Sequence, residues 1–160
     1  MQQARGDAMI NRMFGALRKI YFKLFKIRTK GIRGIVVDGD KILLVQYSYP
    51  PFRGQWFLPG GGLRRNEAWE EGLKREILEE TGFQVTVDCL LGEYQTENEG
   101  KKDTIRVYVC KIEKGQNKRS LETSKIGFYS ADNLPDKTSP GTRRRIQEYI
   151  RGQRNLNKSW

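Results

Sequence analysis

The sequence predicts an α/β fold of the α+β kind, and three observations carry that prediction. Two aliphatic runs, Gly34-Ile35-Val36-Val37 and Ile42-Leu43-Leu44-Val45, flank the turn Asp38-Gly39-Asp40-Lys41, which is the pattern of a β-hairpin. The stretch Glu67 to Glu80 holds no proline and places Leu73 and Ile77 on one face, as a helix seated on a sheet requires. The second half then returns to strand-like runs at Val85–Leu91, Thr104–Ile112 and Lys125–Ser130 before a last helix over Thr142–Arg151, which Pro140 precedes.

Ahead of the hairpin, residues 9–27 read as an amphipathic helix. Ile10, Met13, Phe14, Leu17, Tyr21, Leu24 and Phe25 recur at steps of three and four, with Arg12, Arg18, Lys19, Lys23 and Lys26 largely between them. The charges exclude a transmembrane span, and no small-residue cleavage site marks a signal peptide. Docking of the apolar stripe on the domain or on a second subunit is the expected arrangement, with an anionic membrane surface as the alternative. Between the hairpin and the central helix, Tyr47 to Gln55 forms a loop containing Pro50-Pro51, and Gly60-Gly61-Gly62 suits a turn that brings backbone close to a ligand. Gly82 stands where a left-handed cap ends the helix. The tail Gly152 to Trp160 is polar and is expected to fray.

A chain of 160 residues is one domain's worth, enough to bury a core without disulfides. Cys89 and Cys110 are far apart, fit no metal or disulfide spacing, and read as reduced core thiols of a cytoplasmic protein. The chain holds no histidine. That excludes histidine acid–base chemistry and histidine-ligated zinc, and leaves carboxylates, Lys, Arg, Tyr, hydroxyls or a hard metal ion. The net charge of +11 is concentrated at the ends: residues 1–30 carry eight basic side chains and one acidic, residues 137–160 seven and one. The ends suit anionic partners, whereas the middle is slightly acidic.

That middle carries Glu76, Glu79 and Glu80, which helical spacing puts on one side within about 100° of arc. Crowded carboxylates repel, and become useful when a divalent cation neutralises them. Magnesium prefers hard oxygen ligands and keeps waters and substrate phosphates in its shell.

The pattern Gly61-x5-Glu67-x7-Arg75-Glu76-Ile77-x-Glu79-Glu80-x-Gly82-Phe83 resembles the Nudix box at every defined position across residues 61–83. Trp56-Phe57-Leu58-Pro59-Gly60 is similar to the usual lead-in, and Phe128-Tyr129-Ser130-Ala131-Asp132-Asn133-Leu134-Pro135 to the family's late strand and turn. The resemblance implies a Nudix fold, a mixed β-sheet sandwiched between helices, here with the extra N-terminal helix. It divides the chain into a basic amphipathic segment (1–30), a Nudix domain (31–151) and the polar tail (152–160). It implies magnesium or manganese held by Glu76, Glu79 and Glu80 and by the carbonyl of Gly60 or Gly61, with Glu67 and Arg75 orienting the glutamates. The implied reaction is hydrolysis of a phosphoanhydride bond in a nucleoside diphosphate linked to another group, or in a nucleoside triphosphate. Removal of pyrophosphate from RNA 5′ ends and a non-catalytic nucleotide-binding module are the alternatives. The general base is Glu79 or a later carboxylate among Glu93, Glu97 and Glu99. On the substrate side, Tyr47, Tyr49, Phe52 and Trp56 either stack on a base or pack in the core, and Arg53 is placed to meet a phosphate. Expected partners are a nucleotide-derived small molecule, RNA through the basic ends, a membrane surface, and a second copy of the chain. Gly72 departs from the alanine expected mid-helix and costs about 1 kcal/mol there. Arg64-Arg65-Asn66 makes the approach to Glu67 basic.

Overall fold

A computed structural model describes residues 30–98, 101–118 and 120–160 of the chain. The amphipathic stretch 9–27 lies outside the described residues. The hairpin forms as its turn chemistry dictates: β1 (Lys30–Asp38) and β2 (Lys41–Tyr47) pair antiparallel around Gly39, whose φ of 60° only glycine adopts freely. A short β3 (Trp56–Phe57) pairs with the end of β2 and is followed by α1 (Trp69–Thr81). β4 (Phe83–Asn98) and β5 (Lys101–Gly115) form a long antiparallel hairpin. β6 (Thr123–Ser130), a single 3-10 turn (Ala131–Asn133), α2 (Pro140–Ile150) and β7 (Leu156–Ser159) complete the order.

The sheet is mixed. β1 runs parallel to β5 from Lys30↔Thr104 to Val37↔Lys111, and β7 runs parallel to β4, while β2 pairs antiparallel with β6 on its other side. Strand alternation splits the core in two. Ile32 and Val36 of β1 and Leu43 of β2 meet Leu73 and Ile77 of α1 on one face; Ile35, Ile42 and Leu44 meet Ile146 of α2 on the other. The sheet is thus sandwiched between the two helices. Gly34 sets how closely α1 approaches, since a Cβ there would stand 2.8 Å from Ile77 Cδ1. Among the described residues, no helix is long and apolar enough to cross a membrane.

Three details differ from the sequence-based expectation or explain it. The central helix starts at Trp69, not beside Asn66, because Asn66 turns to a φ of 61° and Glu67 spends its carboxylate on the Arg64 N–H (2.7 Å). Gly72 has a packing reason: a Cβ there would lie 2.5 Å from Leu63 Cδ2 and 2.9 Å from Glu67 Oε2. The tail does not fray. Leu156–Ser159 add a strand to β4, and Trp160 packs against Gly141 and edge-on to Tyr94. The buried Arg145 stacks its guanidinium 3.9 Å from the Tyr94 ring centroid and lies 2.8 Å from the Glu148 carboxylate. Polarity of the tail hid this, because its backbone pairing is indifferent to side chains. Both cysteines are free thiols, and burial pushes the Cys110 thiol up to about 12.

Candidate active site

The site is built where the glycine loop crosses the end of α1. Gly60 takes a φ of 139° and runs so close to β1 that a Cβ would meet the Ile32 carbonyl oxygen at 2.3 Å. Only glycine fits there. The loop is laced to β1 by the Ile32 N–H donating to the Gly61 carbonyl (2.9 Å) and the Gly34 N–H donating to the Pro59 carbonyl (2.9 Å). On the other side, Leu58 N–H donates to Thr142 Oγ1 of α2 (3.3 Å).

Against this loop lies Glu80, only 5% exposed. Its Oε2 accepts from the Gly60 N–H (2.8 Å) and its Oε1 from the Tyr47 hydroxyl (3.0 Å). Burial dominates its proton affinity and pushes the carboxyl up to about 8; the Arg33 charge and these two donors pull the other way, and Glu76 adds to the rise. Glu76 packs directly on Gly61, where a Cβ would stand 2.5 Å from its carboxylate.

Arg75 ties the carboxylates together. Its Nε and Nη2 grip the two oxygens of Glu67 (2.7 and 2.9 Å), its Nη1 reaches Glu76 (2.9 Å) and Glu79 (3.2 Å), and Nη2 also donates to the Gly62 carbonyl (3.3 Å). The hydrogen bonds from Arg75 are the main reason that the Glu67 carboxyl falls to about 2. Glu79 is half-exposed and also meets Arg64 at 3.2 Å. Among the described residues, no three acidic, Cys or His side chains already form a closed cation cage. The donor set nevertheless fits a hard cation: a desolvated carboxyl at Glu80, a second carboxylate at Glu76 held against a cradle that any Cβ would fill, and a half-exposed third at Glu79. Of the two carbonyls expected to join them, that of Gly60 lies 3.4 Å from the Tyr47 hydroxyl on the Glu80 side, whereas that of Gly61 accepts from Ile32.

The other candidate residues are placed as follows. Trp56 is buried and packs edge-on against Tyr129 in the core. Arg53 donates from Nε to the Ser48 carbonyl (3.1 Å) in the exposed loop. Glu93 pairs with Arg106 (2.7 Å), whose guanidinium lies 4.4 Å from the Trp69 ring centroid. Trp69 opens α1, about 15 Å from Glu79 at 1.5 Å per residue, so Glu93 is remote from the glutamate cluster. Glu97 lies near the end of β4, and Glu99 falls outside the described residues.

Two residues not singled out by spacing belong to the site's surroundings. Arg33 of β1 supplies the positive charge felt by Glu80. Glu122 sits in the turn before β6, where its carbonyl accepts from Ser48 N–H (3.0 Å), and the adjoining Thr123 donates to the Glu80 carbonyl (3.1 Å). Glu122 is exposed as a residue, yet partial burial of its carboxyl, followed by the charges of Glu76 and Glu79, raises its proton affinity. Only its position ahead of a strand that pairs with β2 could have signalled it.

Residues 28–149 match the family model described as the NUDIX domain. The chain belongs to the Nudix hydrolase family. Its relatives include an ADP-ribose pyrophosphatase of Methanocaldococcus jannaschii, 30% identical over 132 residues and covering 81% of this chain and 78% of the other. A MutT-like protein of Streptomyces ambofaciens is 32% identical over 111 residues, covering 69% and 70%. Among solved structures, a UDP-X diphosphatase superposes with a TM-score of 0.68 at 27% identity, covering 81% of this chain and 66% of that longer one. This Nudix enzyme therefore carries the box as a loop–helix unit, with Glu67 just before the helix and Glu76, Glu79 and Glu80 in its second half.

Proposed function

We propose that this Nudix hydrolase cleaves the phosphoanhydride bond of a nucleoside diphosphate linked to a second group, with magnesium as the metal and manganese as a substitute. One observation carries the reading: Glu80 is buried against Gly60, close to Glu76, while Arg75, anchored on Glu67, holds Glu76 and Glu79 beside it. Two relatives named for cleavage of nucleoside diphosphate derivatives, the ADP-ribose pyrophosphatase and the UDP-X diphosphatase, support the substrate class.

Glu76, Glu79 and Glu80 would hold the cation with the Gly60 or Gly61 carbonyl. Bound there, it supplies charge neutralisation of the diphosphate and makes water easier to deprotonate. The protein's own groups do the rest. Arg75 keeps Glu76 and Glu79 on one side of the helix, and Tyr47 with the Gly60 N–H fixes the Glu80 oxygens. Arg33 offsets charge beside Glu80. We take Glu122, whose proton affinity is raised by partial burial and by the charges of Glu76 and Glu79, as the acceptor of a proton from attacking water. Glu79 is the alternative acceptor within the helix.

A panel of nucleoside triphosphates, dinucleotides and nucleotide sugars, assayed with magnesium in wild type and Glu80→Gln, tests the proposal. Magnesium-dependent release of a nucleoside monophosphate from a nucleoside diphosphate derivative, lost in Glu80→Gln, is expected. Equal activity of the two proteins across the panel would refute it.

A further inference from the structure

Four aromatic rings close a circuit beside the glutamate cluster. Tyr47, whose hydroxyl donates to Glu80, has its ring centroid 5.2 Å from Tyr49 and 5.3 Å from Phe57. Phe52 completes the circuit at 6.2 Å from Tyr49 and 5.5 Å from Phe57, meeting both edge-on. Tyr47 is buried, Tyr49 and Phe57 are half-buried, and Phe52 is 37% exposed. The rings thus lead from the inner carboxylate to solvent in two steps. Phe52, at the outer end of the circuit, is the ring that stays open to solvent, while Tyr47 at the inner end touches Glu80.

The loop that carries Phe52 is fixed at several points. Gln46 Nε2 donates to the Gly54 carbonyl (2.9 Å), Arg53 Nε to the Ser48 carbonyl (3.1 Å), and the Gln55 N–H to the Phe52 carbonyl itself (3.0 Å). Ser48 N–H in turn donates to Glu122 (3.0 Å), so ring circuit and glutamate cluster are held in one frame. A surface ordered before a ligand arrives loses less entropy on binding it.

We propose that Phe52, supported by Tyr49 and Phe57, is the shelf on which the nucleobase of the substrate stacks while its diphosphate lies at Glu76, Glu79 and Glu80. This rests on the hydrolase reading above and adds the base-recognition element to it. Every base presents a π-face, so such a shelf selects for a base without choosing among bases. A diphosphate compound lacking an aromatic group gains nothing from it.

Calorimetric titration of the full chain in magnesium with AMP, and separately with ribose 5-phosphate, tests the shelf in wild type, Phe52→Ala and Phe52→Trp. The expected result is AMP binding weakened about tenfold in Phe52→Ala and restored in Phe52→Trp, with ribose 5-phosphate unaffected. In steady-state kinetics the same loss is expected in KM for ADP-ribose. Equal AMP affinity in wild type and Phe52→Ala would overturn the shelf. So would an equal loss for ribose 5-phosphate, or wild-type protein binding AMP no more tightly than ribose 5-phosphate. Binding is read apart from turnover: AMP binding through Phe52 without cleavage of any substrate rejects the hydrolase reading alone, and hydrolysis with KM indifferent to Phe52 rejects the shelf alone.

Discussion

Arg75 holds Glu67 by two parallel hydrogen bonds, 2.7 and 2.9 Å long, across a gap of eight residues that spans the start of α1. The planar guanidinium makes this fork and still has Nη1 left for Glu76 and Glu79; an ammonium group cannot do both. Arg75→Lys is therefore expected to lower kcat/KM by about 10- to 100-fold while keeping the positive charge. Steady-state assays over a magnesium titration check this, and a weaker apparent affinity for magnesium should accompany the loss.

The same pair predicts behaviour in acid. Glu67 titrates near 2 in the fold against an ordinary carboxyl value of 4.5. Its contribution to stability is complete above the unfolded value and disappears as pH falls from about 4.5 towards 2. Urea midpoints measured over that window should fall more steeply for wild type than for Glu67→Gln.

Glu80 runs the opposite way. Its folded value near 8 means that the fold keeps a proton the unfolded chain has already lost above about 4.5. Stability from this group therefore declines as pH rises from about 4.5 to 8 in metal-free protein. Glu80→Gln should remove that decline. Thermal denaturation in a chelator across this range checks the sign; added magnesium should raise Tm of wild type at pH 8 and leave Glu80→Gln nearly unchanged.

Adjacent glycines should fail differently. A Cβ at Gly60 meets backbone, the Ile32 carbonyl at 2.3 Å, with φ at 139°, so Gly60→Ala is expected to destabilise the fold by about 1–3 kcal/mol or more. At Gly61 the obstacle is the Glu76 carboxylate at 2.5 Å, a side-chain end that can swing away. Gly61→Ala should cost less stability and more activity. Denaturation curves and kcat, taken together on both variants, distinguish them.

Glu122 and Glu93 give a paired test of the proton acceptor. If Glu122 accepts the proton, Glu122→Gln should lower kcat by about 10²-fold or more. Glu93→Gln, altering a residue paired with Arg106 near the far end of α1, should leave kcat within about twofold. Comparable losses in both variants would contradict the assignment.

These assignments differ in how far the sequence foretold them, and the difference is one of range. The Asp38–Lys41 turn, the Gly82 cap and the spacing of Glu67, Arg75, Glu76, Glu79 and Glu80 are local patterns, and each is readable from neighbours along the chain. The helix starts a few residues later than spacing suggests because Asn66 takes a left-handed turn that spacing does not announce. Glu122 and Arg33 are brought to the cluster by pairing of β2 with β6 and of the glycine loop with β1, contacts that no local pattern encodes. The docking of Trp160 is hidden from the sequence for the same reason: its partners, Tyr94 and Gly141, belong to a strand and a helix elsewhere in the chain.

The parallel register of β1 on β5, from Lys30↔Thr104 to Val37↔Lys111, carries a kinetic consequence. The β1–β2 and β4–β5 hairpins can zip up on their own within microseconds. Joining them requires closure of a loop that contains the whole glycine turn and the glutamate helix, and such distant pairings slow the assembly of a sheet. During synthesis, the first hairpin waits until β5 has emerged, so the segment from the glycine turn to the Gly82 cap lies between two half-sheets before either has its neighbour.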